Sequence, residues 1–218
     1  MSLDFSVVGE SLPLLMRGAL ITVEVTFLAL ILGTTLGLLA GLAKLSHYNA
    51  LRYLAGGYVS VFRGTPLLVQ LFIWYFGLPE IGIQPSPIMA AVIGLGLYSG
   101  SYQTEIVRGA IQSVEKGQME AARSLGLSYF KAMRFVVFPQ AFLRMLPPLG
   151  NEFVALTKNS SLVSLVTLQE VVLTADMIIS RTFRALELYL AVAAIYYVIT
   201  SVISLLTQYA ERRIGVYL

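Results

Sequence analysis

The chain has 218 residues, 57% of them hydrophobic and 12% charged, with a formal net charge of +3 and a mean hydropathy of +0.78. Soluble domains carry about 25% charged residues, so this composition excludes an ordinary water-facing surface and points to an all-α integral membrane protein. No cysteine and a single histidine, His47, exclude a disulfide framework, a thiolate metal site and a His-rich metal cluster, and a small positive charge on such a chain reflects loop topology rather than nucleic-acid binding.

The N-terminal stretch MSLDFSVVGESLPLLMRGAL has Asp4 and Glu10 as its first charges and no small-residue cleavage site after a short apolar core, so it does not read as a cleaved signal peptide. Phe5, Val8, Leu12 and Leu15 fall at helical spacing and predict a helix along the membrane surface. A bilayer takes about 20 apolar residues per helix. Arg17 to Lys44, with Glu24 as its one interior ionisable group, gives the first span. On it Gly33, Gly37 and Gly41 recur every four residues and predict a seam for close helix approach. Tyr53 to Leu78 gives the second span, broken at RGTP, where Gly64 loosens the turn and Pro66 removes a backbone donor. Pro87 to Thr104 gives the third. Its Gly96 and Gly100 repeat the small-residue spacing once, which the abundance of glycine in membrane helices explains equally well.

Residues 105–138 form a charged loop. Gly117 can begin a helix, Gln118 to Leu125 favours one, Gly126 suits the left-handed position past its end, and Ser128 suits the cap of the next. That second helix runs from Tyr129 through Phe138 into the fourth span, Pro139 to Thr157, which Pro147 and Pro148 are expected to break. Leu162 to Ile179 is fairly apolar but contains Gln169, Glu170 and Asp176, and reads as a short outer-side or re-entrant segment. Leu188 to Ala210 carries no charge and gives the fifth span. Lys and Arg concentrate between spans one and two, between three and four, and after span five. All three places fall on one side, which is then cytoplasmic, with the N-terminus outside and the C-terminus inside.

Charges inside lipid cost about 2.5–3.5 kcal/mol each on the insertion scale and usually face a cavity or a partner. Arg63 and Thr65 at the break, Gln70 beyond it, Tyr98 on span three, and Glu152, Lys158, Asn159 and Ser160 on span four bring both signs of charge, an amide and hydroxyls into the bundle. That mixture suits a zwitterionic solute. Structural readings stand beside it: Arg63 pairing with a carboxylate to hold helices, Lys158 reaching the outer interface, Tyr98, Tyr102 and Gln70 packing or bridging helices. In the loop, Glu120 and Arg123 are polar, and Ala121 and Ala122 allow another surface to approach. A short projecting helix suits docking of a soluble partner and equally an amphipathic linker on headgroups.

EAARSLG at Glu120 to Gly126, followed at matching spacing by VVFP ending at Pro139, resembles the EAA loop of ABC importer permeases. Glu120, Ala121, Ala122, Gly126 and Pro139 match the pattern, while Val136 and Phe138 stand where it has Ile and Leu. RGTPLLVQLF, SYQTEIVRGAI and LTKNSSLVS look like the polar amino acid uptake subfamily, and the likeness runs from about Ser11 to Arg213. The resemblance implies a single type I importer permease core over residues 1–218 with about five spans. It implies two permease subunits, the second identical or homologous, a pair of ABC ATPase subunits using ATP and Mg, an extracytoplasmic amino-acid-binding protein, and a bacterial plasma-membrane location. It places the ATPase-coupling helix within Gly117, Glu120, Ala121, Ala122, Arg123 and Gly126. Family members often have Asp where this chain has Asn159, which argues against a cationic solute if that position touches it. Independently, none of the 18 glycines is followed by Lys, so the P-loop is absent and this chain is not itself a P-loop ATPase. The alternatives from the residues alone are a gradient-driven secondary transporter, disfavoured by the odd span count and lack of a clear repeat, and a non-transporting assembly subunit.

Overall fold

Backbone polar groups in hydrocarbon have only one another to bond, which selects helices. The computed structural model describes residues 3–215, and no strand occurs among them. Helix α1 runs from Ser6 to Lys44 as one 39-residue rod. The expected surface helix at the N-terminus is instead the first part of this rod. Its buried face is Val7, Ser11 and Leu15, whereas Phe5 and Leu12 point outward. Packing explains the difference: Leu15 sits with Val171, Ala175, Leu188 and Val192 in one cluster, and the Asp4 amide donates to Glu187 Oε1 at 3.0 Å.

Helix α2 (Asn49–Gly64) and helix α3 (Leu67–Phe72) are separated by Thr65 and Pro66, and the chain turns there by 103°. A π-helical turn (Ile73–Gly77) and a 3-10 turn (Leu78–Ile81) follow. Helix α4 (Pro87–Ser113) starts on a Ser86 cap that accepts the Met89 amide. Helix α5 (Lys116–Ser124) ends at Gly126, whose φ of 84° is left-handed. Helix α6 (Tyr129–Ala132), capped by Ser128, passes through a π turn (Met133–Val137) into helix α7 (Phe138–Asn159).

The predicted break at Pro147 and Pro148 does not occur; α7 continues through both. Met145 and Leu149 are buried against α4, and Gly150 lies against Thr207 of helix α9 (Ala185–Gly215), so contacts on both sides of the proline pair hold the rod. A 3-10 turn (Ser160–Val166) leads to helix α8 (Val171–Thr182). Of the described helices, α1 and α9 are long and apolar enough alone to cross a bilayer, and two bent pairs bring the number to as many as four. The 27-residue α4 also has the length, but Tyr98 to Thr104 makes its second half polar.

Two interactions organise this bundle. Along the glycine seam, a Cβ on Gly37 would lie 2.6 Å from Gln103 Cβ, one on Gly41 2.7 Å from Val107, and one on Gly100 3.0 Å from the Gly33 carbonyl. The two small-residue runs therefore face each other. The second is Glu170, fully buried at the start of α8. Its Oε1 accepts the amides of Val172 (2.7 Å) and Leu173 (3.1 Å), and its Oε2 accepts Thr22 of α1 (3.1 Å) and Tyr196 of α9 (3.0 Å).

Gly37→Leu should lower the melting temperature of the detergent-purified protein, because overpacking a close seam costs about 1–3 kcal/mol. Gly57→Ala, where an added Cβ meets nothing within 4 Å, should not. Equal melting of the two variants would remove the seam as a stability determinant.

Candidate functional site

A polar cluster lies where the end of α2 meets the middles of α4 and α7. The Arg63 guanidinium stacks over the Tyr102 ring, 4.8 Å from its centroid. Tyr102 in turn accepts the Tyr98 hydroxyl at 3.2 Å. On the next face of α4, Ser99 donates to Glu152 Oε1 at 2.8 Å and accepts from Gln103 Nε2 at 3.1 Å. Gln103 is the residue packed beneath Gly33 and Gly37, so the helix seam sets the carboxylate's support. Arg63 has no carboxylate within ion-pair distance among the described residues, so it is not a static interhelical salt bridge. An exposed guanidinium and a half-buried carboxylate thus flank a pair of tyrosines. The arrangement can offer a cation to a carboxylate and an anion to an ammonium.

The structure brings together Arg63, Tyr98 and Glu152 from the predicted residues, joins to them Tyr102, read from the sequence as a packing or helix-bridging group, and adds Ser99 and Gln103. Ser99 and Gln103 were legible only as an i, i+4 pair of polar groups. Thr65 and Gln70 serve the break instead. Gln70 is buried, and its Nε2 donates to the carbonyls of Phe62 (2.9 Å) and Thr65 (3.1 Å) and to Thr65 Oγ1 (2.8 Å). These are carbonyls that Pro66 and the bend leave without helical partners. Lys158, Asn159 and Ser160 sit at the far end of α7, about two turns beyond Glu152. Lys158 is exposed and Asn159 half-buried, while Ser160 is fully buried and donates to the Thr157 carbonyl at 2.7 Å.

The predicted docking helix is α5. Gly117, Glu120, Ala121, Arg123 and Gly126 are exposed, but Ala122 is buried, so only one of the two alanines faces outward. Arg123 donates to the Leu127 carbonyl at 3.1 Å and braces the glycine corner. Leu125 at that corner is 85% exposed. Its signal in the sequence is an apolar residue beside a C-terminal glycine.

At the same end of the bundle, Glu105 of α4 is paired with Lys44 at the end of α1 and with Arg108 at 2.7 Å. Burial pushes the Glu105 carboxyl up, but the hydrogen bonds and charges of Lys44 and Arg108 outweigh it and hold the carboxyl below its ordinary value.

A model of the family described as binding-protein-dependent transport system inner membrane component matches residues 33–216. The chain is 43% identical over 208 residues to the probable amino-acid ABC transporter permease protein YckA of Bacillus subtilis (strain 168), covering 95% of this chain and 92% of that protein. It is 39% identical over 218 residues to the glutamine transport system permease protein GlnP of Escherichia coli (strain K12), covering 99% and 100%. A solved structure described as an amino acid ABC transporter with histidines superposes with a TM-score of 0.92 at 42% identity, over 98% of this chain and 100% of that one.

A carboxylate held below its ordinary value stabilises the fold above about pH 4.3 and loses that contribution as pH falls through the lowered value. The melting-temperature gap between wild type and Glu105→Gln should therefore be full above about pH 5 and close in more acidic buffer. A gap that does not change with pH would show that the Lys44–Glu105–Arg108 group contributes nothing through charge.

Proposed function

The chain belongs to the binding-protein-dependent transport system inner membrane component family and is a permease subunit of an ABC importer, and on that premise we propose that it carries a polar amino acid across the bacterial inner membrane by alternating access. The family works with ATPase subunits and a solute-binding protein. ATP is hydrolysed in those partners and not in this chain.

The observation that carries the solute reading is the cluster of Arg63, Tyr98, Tyr102 and Glu152. A zwitterion presents one carboxylate and one ammonium. The guanidinium of Arg63, which has no carboxylate partner among the described residues, answers the first, and Glu152, turned by Ser99, answers the second. Tyr98 and Tyr102 supply hydroxyls between them. Asn159 further along α7 brings no negative charge, which favours a neutral over a cationic side chain.

The same cluster argues for a second permease subunit, identical or homologous. Arg63 and Lys158 are exposed on the single chain, and a charge facing lipid costs about 2.5–3.5 kcal/mol. A second subunit covering this face encloses a solute path between the two chains. An extracytoplasmic binding protein delivers the amino acid to that path.

A pair of ATPase subunits, binding ATP with Mg, drives the change of state from the cytoplasmic side. The contact is α5, through Glu120, Ala121, Arg123 and the Gly117 and Gly126 ends, with Ala122 anchoring the helix from beneath. Because α6, the π turn and α7 form one helical run, movement of α5 passes to the span that carries Glu152. The solute path opens to one side and then the other as a rigid-body change.

Glu152→Gln or Arg63→Ala in the reconstituted complex should reduce amino acid uptake by about tenfold or more, the worth of one lost charge-assisted hydrogen bond. The ATPase subunits should still copurify. Uptake at wild-type rates in both variants would remove the cluster from the solute path. Glu120→Lys should abolish stimulation of ATP hydrolysis by the loaded binding protein, and normal stimulation would show that α5 is not the ATPase contact. Asn159→Asp should shift preference toward cationic amino acids in a competition assay across the twenty. An unchanged ranking would take Asn159 off the path.

A further inference from the structure

Gln140 and Arg144 lie one turn apart on α7, outside the polar cluster and outside α5. Both reach toward the segment that joins α4 to α5. Arg144 Nη1 donates to the Ser113 carbonyl and, at 3.2 Å, to Ser113 Oγ. Ser113 is the last residue of α4. Its carbonyl is one of those a helix leaves without an internal partner, and a cation there also meets the negative end of the helix dipole. Gln140 Nε2 donates to the Val136 carbonyl at 2.9 Å and reaches Gln118 Oε1 of α5 at 3.4 Å. Beneath these bonds Val114, Val137, Ala141 and Met145 form one buried cluster, with Met119 of α5 packed on it.

The joint they span is weak in helical bonds. The Phe138 amide donates five residues back, to Met133, in the π turn. Pro139 then has no amide to give. A run that must transmit force from α5 to the middle of α7 is most compliant at this point, because the regular i to i−4 ladder is interrupted for more than a turn. Gln140 and Arg144 bypass the interruption. They tie the start of α5 and the end of α4 directly to the base of α7.

We propose that Gln140 and Arg144 are positioning residues that make α5 and the base of α7 a single stiff lever, so that displacement of α5 moves α7 instead of bending the π joint. This rests on the reading of α5 as the ATPase contact. Both lie outside the polar cluster and outside α5, and both act through the attachment of α5.

The chain contains no cysteine, so spin labels can be placed at Ser124 on α5 and Phe142 on α7 after replacing only those two residues by cysteine. In the reconstituted complex with its ATPase, the distance between the labels should be narrow and the same with and without an ATP analogue. In Gln140→Ala/Arg144→Ala the distribution should broaden, and amino acid transported per ATP hydrolysed should fall about fivefold. Copurification of the ATPase and its basal hydrolysis should stay at wild-type levels. Arg144→Lys in the Gln140 wild-type background should recover most of the ratio, because it keeps the charge at the end of α4. If the double variant does not assemble, Gln140→Ala alone should give a smaller change in the same two readouts. An unchanged distance width, or an unchanged transport-to-hydrolysis ratio, overturns the proposal, which requires stiffness and coupling to change together. A wild-type complex that assembles but takes up no amino acid would sink the solute reading, and the label distances would still judge the lever.

Discussion

The close approach of α1 and α4 is the constraint on which the rest of the bundle depends. A β-carbon added at Gly37 or Gly41 would fall within 2.8 Å of Gln103 or Val107, and one added at Gly33 or Gly100 would press on the backbone of the other helix. In hydrocarbon there is little hydrophobic drive for helices to associate, so tight van der Waals contact must supply it. Gln103 is held in that contact, Ser99 is held by Gln103, and Glu152 by Ser99. A carboxylate on one helix is thus aimed by the packing of two others. The ion pair of Lys44 with Glu105 closes the same seam at its charged end.

The bend between α2 and α3 complements this rigid seam. A chain that turns 103° inside a membrane protein exposes backbone carbonyls that ordinary helices keep bonded. Gln70 supplies the missing donors, and the turn leaves Arg63 at a helix end facing the tyrosines of α4. The break in the backbone sets where Arg63 stands, over the Tyr102 ring. An unbroken α2 would carry Arg63 within a continuous helical wall, not at the lip of a polar cluster.

Much of this was legible in the sequence. The glycine repeat, the RGTP break, the Gly126 corner and the Ser128 cap are local signals with local causes, and each appears where its spacing put it. What was not legible depends on partners distant in sequence. The N-terminal helix looked like a surface element because its outward residues are as apolar as its inward ones, and only α8 and α9 decide which face is buried. Pro147 and Pro148 look like helix breakers until the contacts of Met145, Leu149 and Gly150 are known. In the polar set, residue type singled out Arg63, Tyr98 and Glu152, which the structure brings together. Residue type could not separate them from Gln70, whose amide nitrogen is taken up by carbonyls of the nearby bend, or from Ser160, which is sealed in the core. Nothing local marks Arg144: it falls inside a span predicted from the sequence, and its partner Ser113 is 31 residues away.

Glu170 imposes an order of assembly. Its four donors come from α8 itself, from Thr22 near the beginning of the chain, and from Tyr196, made 26 residues after it. A ribosome delivering the chain from its N-terminus presents the carboxylate before the last of these exists. Until α9 has been synthesised and docked, Glu170 is short one hydrogen bond that a buried polar group needs. A product that stops between Glu170 and Tyr196 therefore carries a buried polar group short of a partner, a defect that completion of the final helix removes.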